Sequence, residues 1–220
     1  MTASHHGDTI ERIGIDESGK GDYFGPLVIA AVFVDSTTQG ELRLMQVRDS
    51  KNISDGRILE MAPDIKTICP HSVIAIGPQK YNELYAKIKN LNRLLAWGHA
   101  KALETLLAQV HCERAISDQF GNERLILSVL QEKGRKIVLE QRTKAESDVA
   151  VAAASILARA EFLLRLKRLS GEVGTTLPKG ASPAVELAAK MIIKKHGQDR
   201  LGSVAKLHFK TTKAVLAGLV

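Results

Sequence analysis

Cysteine is nearly missing from this 220-residue chain: Cys69 and Cys112 are the only two. Neither stands near a second cysteine or a histidine pair at zinc spacing, which argues against a structural zinc site or a disulfide framework. Two structural thiols in a reducing compartment fit instead. Aromatic residues make up only 4% of the chain, too few for a single-strand binder built on stacked rings. No apolar run reaches the length needed to cross a bilayer. The first residues, Met1 to Asp8, are polar and lack the apolar core of a signal peptide, so a cytoplasmic location and no membrane partner are expected. Positive charge is what the chain has in excess, with a formal net charge of +7. That balance admits a polyanion read through its backbone without establishing one.

Hydrophobic residues are 45% of the sequence, ample for one sizeable core. The pattern predicts a strand over Ile10–Ile15 that reaches the acidic pair Asp16–Glu17, followed by a glycine-rich turn, Ser18–Gly25. The apolar run Leu27–Val34 reads as a strand covered on both faces, forming a hairpin with the first. A helix is expected over Ile53–Ile65 with Ser54 as its N-cap, then a strand over Ile68–Ile76. Helices follow over Gln79–Ile88 and Leu91–Val110, a strand over Arg114–Ser117, a helix over Glu123–Glu132 and a strand over Lys136–Leu139. The Ala-rich stretch within Val149–Leu169 predicts a long helix able to pack closely on a sheet, and Ala184–Lys195 a further one. A basic tail carries Lys206, His208, Lys210 and Lys213. There is no internal repeat or low-complexity tract. The reading is a polar segment over residues 1–9 and one α/β domain over residues 10–220, with a mixed sheet and a C-terminal helical extension.

Asp16-Glu17-Ser18-Gly19-Lys20-Gly21 is the strongest chemical signal. Successive side chains of a strand point to opposite faces, so the two carboxylates converge only if the chain bends, which the glycines would allow. The glycine spacing is not that of a dinucleotide loop, and a strand rather than a helix follows. Asp118 ends a short strand, a place where α/β sheets put working residues. Glu146 stands just before the long helix, where an acid is also favoured by the helix dipole alone. Asp148 has the same claim. Together these acids offer the hard oxygen ligands that magnesium prefers, and a two-metal phosphodiester cleavage needs about four. No serine elbow or Cys–His pair points to a covalent nucleophile.

At these residues the chain resembles the ribonuclease HIII family of type 2 ribonucleases H. The resemblance rests on Gly14 to Pro26, Asp49-Ser50-Lys51, Asp118-Gln119-Phe120, Thr143-Lys144-Ala145-Glu146, Val151 to Arg159, Leu177 to Ser182 and Lys206 to Lys210. It implies the ribonuclease H fold, a five-stranded mixed sheet flanked by helices. It also implies an endoribonuclease that cuts the RNA strand of an RNA–DNA hybrid duplex with Mg2+, or Mn2+ in its place. The implied catalytic and metal-binding acids are Asp16, Glu17, Asp118 and Glu146. The implied substrate contacts are the loop Ser18, Gly19, Lys20 and Gly21, with Ser50, Lys51, Lys179, Lys206 and Lys210. A monomer without an obligate protein partner is expected. Alternatives are ribonuclease HII-like cutting at embedded ribonucleotides, a DNA nuclease of the same fold, or a non-catalytic hybrid-binding module.

The chain departs from the family pattern in three places. It has no room for the usual N-terminal domain resembling the TATA-binding protein. The segment between Glu146 and Ser155 is slightly shorter than usual. Leu177-Pro178 stands near the place where ribonuclease HII carries a junction-reading tyrosine, so efficient cutting at single embedded ribonucleotides is not expected.

Overall fold

The structure is a computed structural model that describes residues 11–48, 50–118, 126, 128 and 134–218. Among the described residues five strands form one sheet: β1 (Arg12–Ser18), β2 (Leu27–Val34), β3 (His71–Ile76), β4 (Arg114–Asp118) and β5 (Val138–Arg142). Their order is β3-β2-β1-β4-β5. Strands β1, β2 and β3 pair antiparallel, whereas β4 and β5 run parallel to β1. The sheet is therefore five-stranded and mixed, as expected, and the hairpin of β1 and β2 is present.

Alternation along β1 and β2 divides the core into two layers. Ile13, Ile15, Leu27, Ile29 and Ala31 pack against helix α3 (Pro78–Ile88) and helix α4 (Leu91–Leu107). Val28, Ala30, Val32 and Val34 face α2 (Asp55–Ile68), α5 (Val149–Val173) and α6 (Pro183–His196). Both faces of β2 are thus covered, which explains its unbroken apolar sequence. The Ala-rich face of α5 has a counterpart in β1. A Cβ built on Gly14 would lie 2.1 Å from the Ala150 carbonyl carbon and 2.2 Å from the Val151 nitrogen. Helix and strand therefore meet backbone to backbone, a contact that only glycine admits.

Ser54 caps α2 as anticipated, accepting the Arg57 amide at 3.3 Å. Ile68 belongs to α2 rather than to β3, which begins at His71 after Pro70. A helix not anticipated, α1 (Ser36–Leu44), starts in a capping box: Asp35 accepts the Thr38 amide while Thr38 Oγ1 accepts the Asp35 amide. The basic tail holds α7 (Lys210–Ala217). The expected helix over Glu123–Glu132, like Ile10, Asp49 and Gln119-Phe120, lies outside the described residues. Both cysteines are buried and free. Among the described residues no helix is long and apolar enough to cross a membrane.

Candidate active site

Strands β1 and β4 are parallel, with Ile15 beside Ser117, so Asp16 and Asp118 emerge together at their carboxyl ends. Such ends are where open α/β sheets bind ligands. A cavity of about 480 Å³ opens there, lined by Asp16, Glu17 and Asp118, by the loop Ser18–Asp22, and by Ser50 and Lys51. Ser155, Arg159 and Phe162 of α5 and Lys179 complete the wall. Of the residues singled out from the sequence, three acids, the whole glycine loop, Ser50, Lys51 and Lys179 are thereby brought to one place.

No bend brings Asp16 and Glu17 together. Strand β1 stays regular, pairing Asp16 with Ala30 and Glu17 with Ile29. The two carboxylates lean toward opposite layers, and they share the cavity because it lies at the strand's end. Asp16 is on the α5 side, where the nearby Ser155 hydroxyl works to lower its pKa. Its Oδ1 also accepts the Glu17 amide at 2.8 Å. Burial first, then the neighbouring charge of Glu17 and to a smaller extent that of Asp118, pushes its pKa up to about 8. Glu17 leans toward α4 and meets His99, whose Nε2 lies 3.1 Å from Glu17 Oε2. Although burial works to raise it, the hydrogen bond and charge of His99, with Lys20 at 3.4 Å, hold Glu17 below the ordinary carboxylate range.

His99 was not singled out from the sequence. It sits completely buried on the apolar face of α4, where a histidine reads as core. Ser155, Arg159 and Asp55 were also missed. Ser155 Oγ and Ser50 Oγ are 2.5 Å apart, so Ser50, largely buried in the cavity wall, holds the Lys51 turn against α5. Arg159 donates to the Ser50 carbonyl at 3.1 Å and to Asp55 at 2.8 Å. Asp55 also accepts from Lys179, and the two cations hold its pKa down against the effect of burial.

The glycines of the loop serve different ends. Gly19 has φ +88°, and a Cβ there would lie 2.2 Å from the Pro26 carbonyl oxygen and 2.9 Å from Phe162. Its role is to turn the chain. A Cβ on Gly21 would meet nothing within 4 Å, so this position is open toward the cavity.

Three expectations fare differently. Lys206 is not a surface phosphate contact: it is completely buried, with its ammonium on backbone carbonyls of the glycine loop. Lys210 is exposed at the start of α7 and is not among the residues lining the acidic cavity. Glu146 lines a second cavity with Arg12, Arg43, Arg48 and Asp148. Asp148 is committed to structure. Its Oδ1 caps α5 on the Ala150 amide at 2.8 Å, and its Oδ2 pairs with Arg12 at 2.7 Å.

The donor set suits a hard divalent cation. Among the described residues, no three His, Cys, Asp or Glu side chains close around one point as an all-protein metal cage. Magnesium does not require one, since it is held by one or two carboxylates, water and substrate phosphates. Burial first, and then the charges of Glu17 and Asp118, disfavour the ionised form of Asp16, and a bound cation would favour it.

The sheet order and the acid-lined cleft at its strand ends define a nuclease of the ribonuclease H type. More particularly, the chain belongs to the ribonuclease HII family, whose model matches residues 13–212. Ribonuclease HIII of Protochlamydia amoebophila is 48% identical over 209 residues, covering 95% of this chain and 69% of that protein. Ribonuclease HIII of Chlamydia pneumoniae is 44% identical over 214 residues, covering 96% and 72%. Among solved structures, Bst-RNase HIII in complex with Mn2+ matches with a TM-score of 0.89 at 38% identity, over 97% of this chain and 71% of that one. The chain is accordingly an enzyme with ribonuclease H activity.

Proposed function

We propose that this enzyme hydrolyses the RNA strand of RNA–DNA hybrids by a two-metal-ion mechanism, leaving 5′-phosphate and 3′-hydroxyl ends. The observation that carries this reading is the convergence of Asp16, Glu17 and Asp118 in a cavity rimmed by the glycine loop, Lys51 and Lys179. Magnesium, or manganese in its place, would be held by one or two of these acids at a time together with water and substrate phosphate, and would supply an ionised water and Lewis-acid stabilisation of the leaving oxygen. A further support is that similar ribonuclease HIII was crystallised with Mn2+.

The chain's own residues divide the remaining work. The Glu17 amide fixes Asp16, and His99 fixes Glu17. Lys51, Lys179 and Arg159 line the same cavity and would meet the phosphates flanking the cut, giving activity that falls steeply with added salt. At Gly21 the backbone is bare of a side chain and faces open space, so it can approach the ribose and bond the 2′-hydroxyl that distinguishes RNA from DNA. Glu146 lines the neighbouring arginine-rich cavity, so water and substrate phosphate would supply the oxygen donors that a fourth acid would otherwise give. Leu177 is buried and presents no ring to a junction, so single embedded ribonucleotides should be poor substrates.

The test is cleavage of an end-labelled RNA–DNA hybrid with magnesium, beside a DNA duplex of the same sequence and a duplex carrying one ribonucleotide. Cutting confined to the RNA of the hybrid supports the proposal. Equal cutting of the DNA duplex, or binding of hybrid without cutting in either metal, would overturn it.

A further inference from the structure

The glycine loop is tied down by one residue from the far end of the chain. Lys206 donates its backbone amide to the Tyr23 carbonyl at 2.8 Å. Its ammonium reaches the carbonyls of Asp22 at 2.7 Å, Gly25 at 2.8 Å and Phe24 at 3.5 Å. Four successive carbonyls, from residue 22 to residue 25, therefore converge on a single side chain and its own amide. The side chain is completely buried, and among the described residues no carboxylate is paired with the ammonium at ion-pair distance. Burying an ammonium on neutral carbonyls is costly, which shows in a pKa pushed down to about 7 by desolvation against the opposing charge of Asp22. The Tyr81 ring also lies 5.7 Å from the ammonium, but the ammonium's hydrogen bonds all go to one loop, and a residue kept at such a cost is a brace for that loop.

The remaining polar groups of the segment agree. The Tyr23 amide donates to the Gly180 carbonyl and the Gly25 amide to the Val204 carbonyl, each at 2.9 Å. Phe24 bridges Ala205, and Asp22 accepts the Gly180 amide at 2.6 Å. Pro26 has no amide to place. From residue 22 to residue 25, the loop's backbone is thus held by the C-terminal segment and the Gly180 turn. Its leading part, Ser18 to Asp22, lines the cavity.

We propose that Lys206 is a positioning residue for the ribose-reading loop: by gathering the carbonyls of residues 22–25 it aims the backbone of Gly19–Gly21 at the substrate. This rests on the function proposed above. It gives the C-terminal extension a part in catalysis without touching substrate. Loss of the ammonium should lower turnover and leave the phosphate contacts of Lys51 and Lys179 in place, so kcat should fall more than KM rises.

The experiment compares the parent chain with Lys206→Met, which keeps length and removes the donor, and Lys206→Gln, which keeps two N–H donors. Amide hydrogen exchange and steady-state cleavage of an RNA–DNA hybrid with magnesium are measured on each. In the Met variant, protection of the Tyr23 and Gly25 amides should fall at least tenfold while the β1 amides keep theirs. Its kcat should fall tenfold or more with KM within threefold, and the Gln variant should recover part of both. Unchanged exchange at Tyr23 and Gly25, an equal loss across β1 and the loop, or a parental kcat would overturn the proposal. Should the Met variant fail to fold, the same comparison between Gln variant and parent decides. Should the parent leave the hybrid uncut, the proposed function fails, while loop exchange still decides whether Lys206 braces residues 22–25.

Discussion

Replacing Asp16 by Asn should make the cation-free protein more stable at pH 8 while removing its response to divalent cations. The carboxyl titrates at about 8 in the fold against an ordinary 3.8. Below pH 3.8 it is protonated in both the folded and unfolded chain, so folding loses nothing. As the pH rises toward 8, the unfolded chain gives up its proton and the folded chain does not, and stability drains away across that interval. Roughly four pH units at about 1.4 kcal/mol each set an upper bound of ~5–6 kcal/mol. Local relaxation and the sharing of charge with Glu17 bring the working figure to about 2–3 kcal/mol. For a chain of this size that corresponds to about 5–10 °C in Tm. Asn keeps an oxygen for the Glu17 amide, now accepted at 2.8 Å, so the substitution removes charge with little else. The assay is thermal unfolding in chelator at pH 5 and pH 8, repeated with manganese at pH 8. The variant should melt above the parent at pH 8 in chelator, the gap should narrow at pH 5, and manganese should raise only the parent. A variant that melts at or below the parent at pH 8 in chelator would refute the reasoning.

Three further predictions concern how the cavity is built. Gly14→Ala should cost at least about 2 kcal/mol in urea unfolding, because its Cβ would lie 2.1 Å from Ala150 and force α5 off the sheet; a midpoint equal to the parent's would contradict the backbone contact. Gly21→Leu should unfold like the parent yet cleave hybrid at least about tenfold more slowly, since its side chain would project into open space beside the cavity; unchanged turnover would remove this loop from substrate reading. His99→Ala takes from Glu17 its buried partner at 3.1 Å and should weaken activation by manganese by about 10–100-fold. A manganese titration of cleavage that matches the parent's would show that His99 merely fills the core.

Much of the fold could be read from the order of residues, because burial on both faces leaves a plain mark. The unbroken run Leu27–Val34 predicted a strand covered on both faces, and the alanines of Val149–Leu169 predicted a helix lying close on the sheet. Asp16, Glu17 and Asp118 were legible because each stands at or near the carboxyl end of a strand. What escaped has physical causes. Helix α1 is polar and short, and its main signal was the capping box of Asp35 and Thr38. His99 lies among Leu94, Leu95, Ala102 and Leu103 on a buried face, where spacing says core and only the third dimension supplies Glu17. Lys206 was read as exposed because lysine nearly always is; its partners are backbone carbonyls more than 180 residues away, which no local pattern encodes. The placement of Glu146 depends on how the segment after β5 folds back, with Lys144 in the left-handed region at φ 57°. Spacing could not separate Glu146 from Asp148. The structure places both beside the second cavity, with Asp148 committed to Arg12 and to the cap of α5.

The central claim is that a carboxylate cluster at the ends of β1 and β4 cuts RNA paired to DNA with the help of a divalent cation. It is tested most directly by incubating an end-labelled RNA–DNA hybrid with the parent chain and with Asp118→Asn, in magnesium and in manganese. The account predicts cleavage by the parent in at least one metal and none by the variant, with both proteins folded by circular dichroism. Cleavage by Asp118→Asn at the parent's rate, or cleavage by the parent that persists in excess chelator, would contradict it.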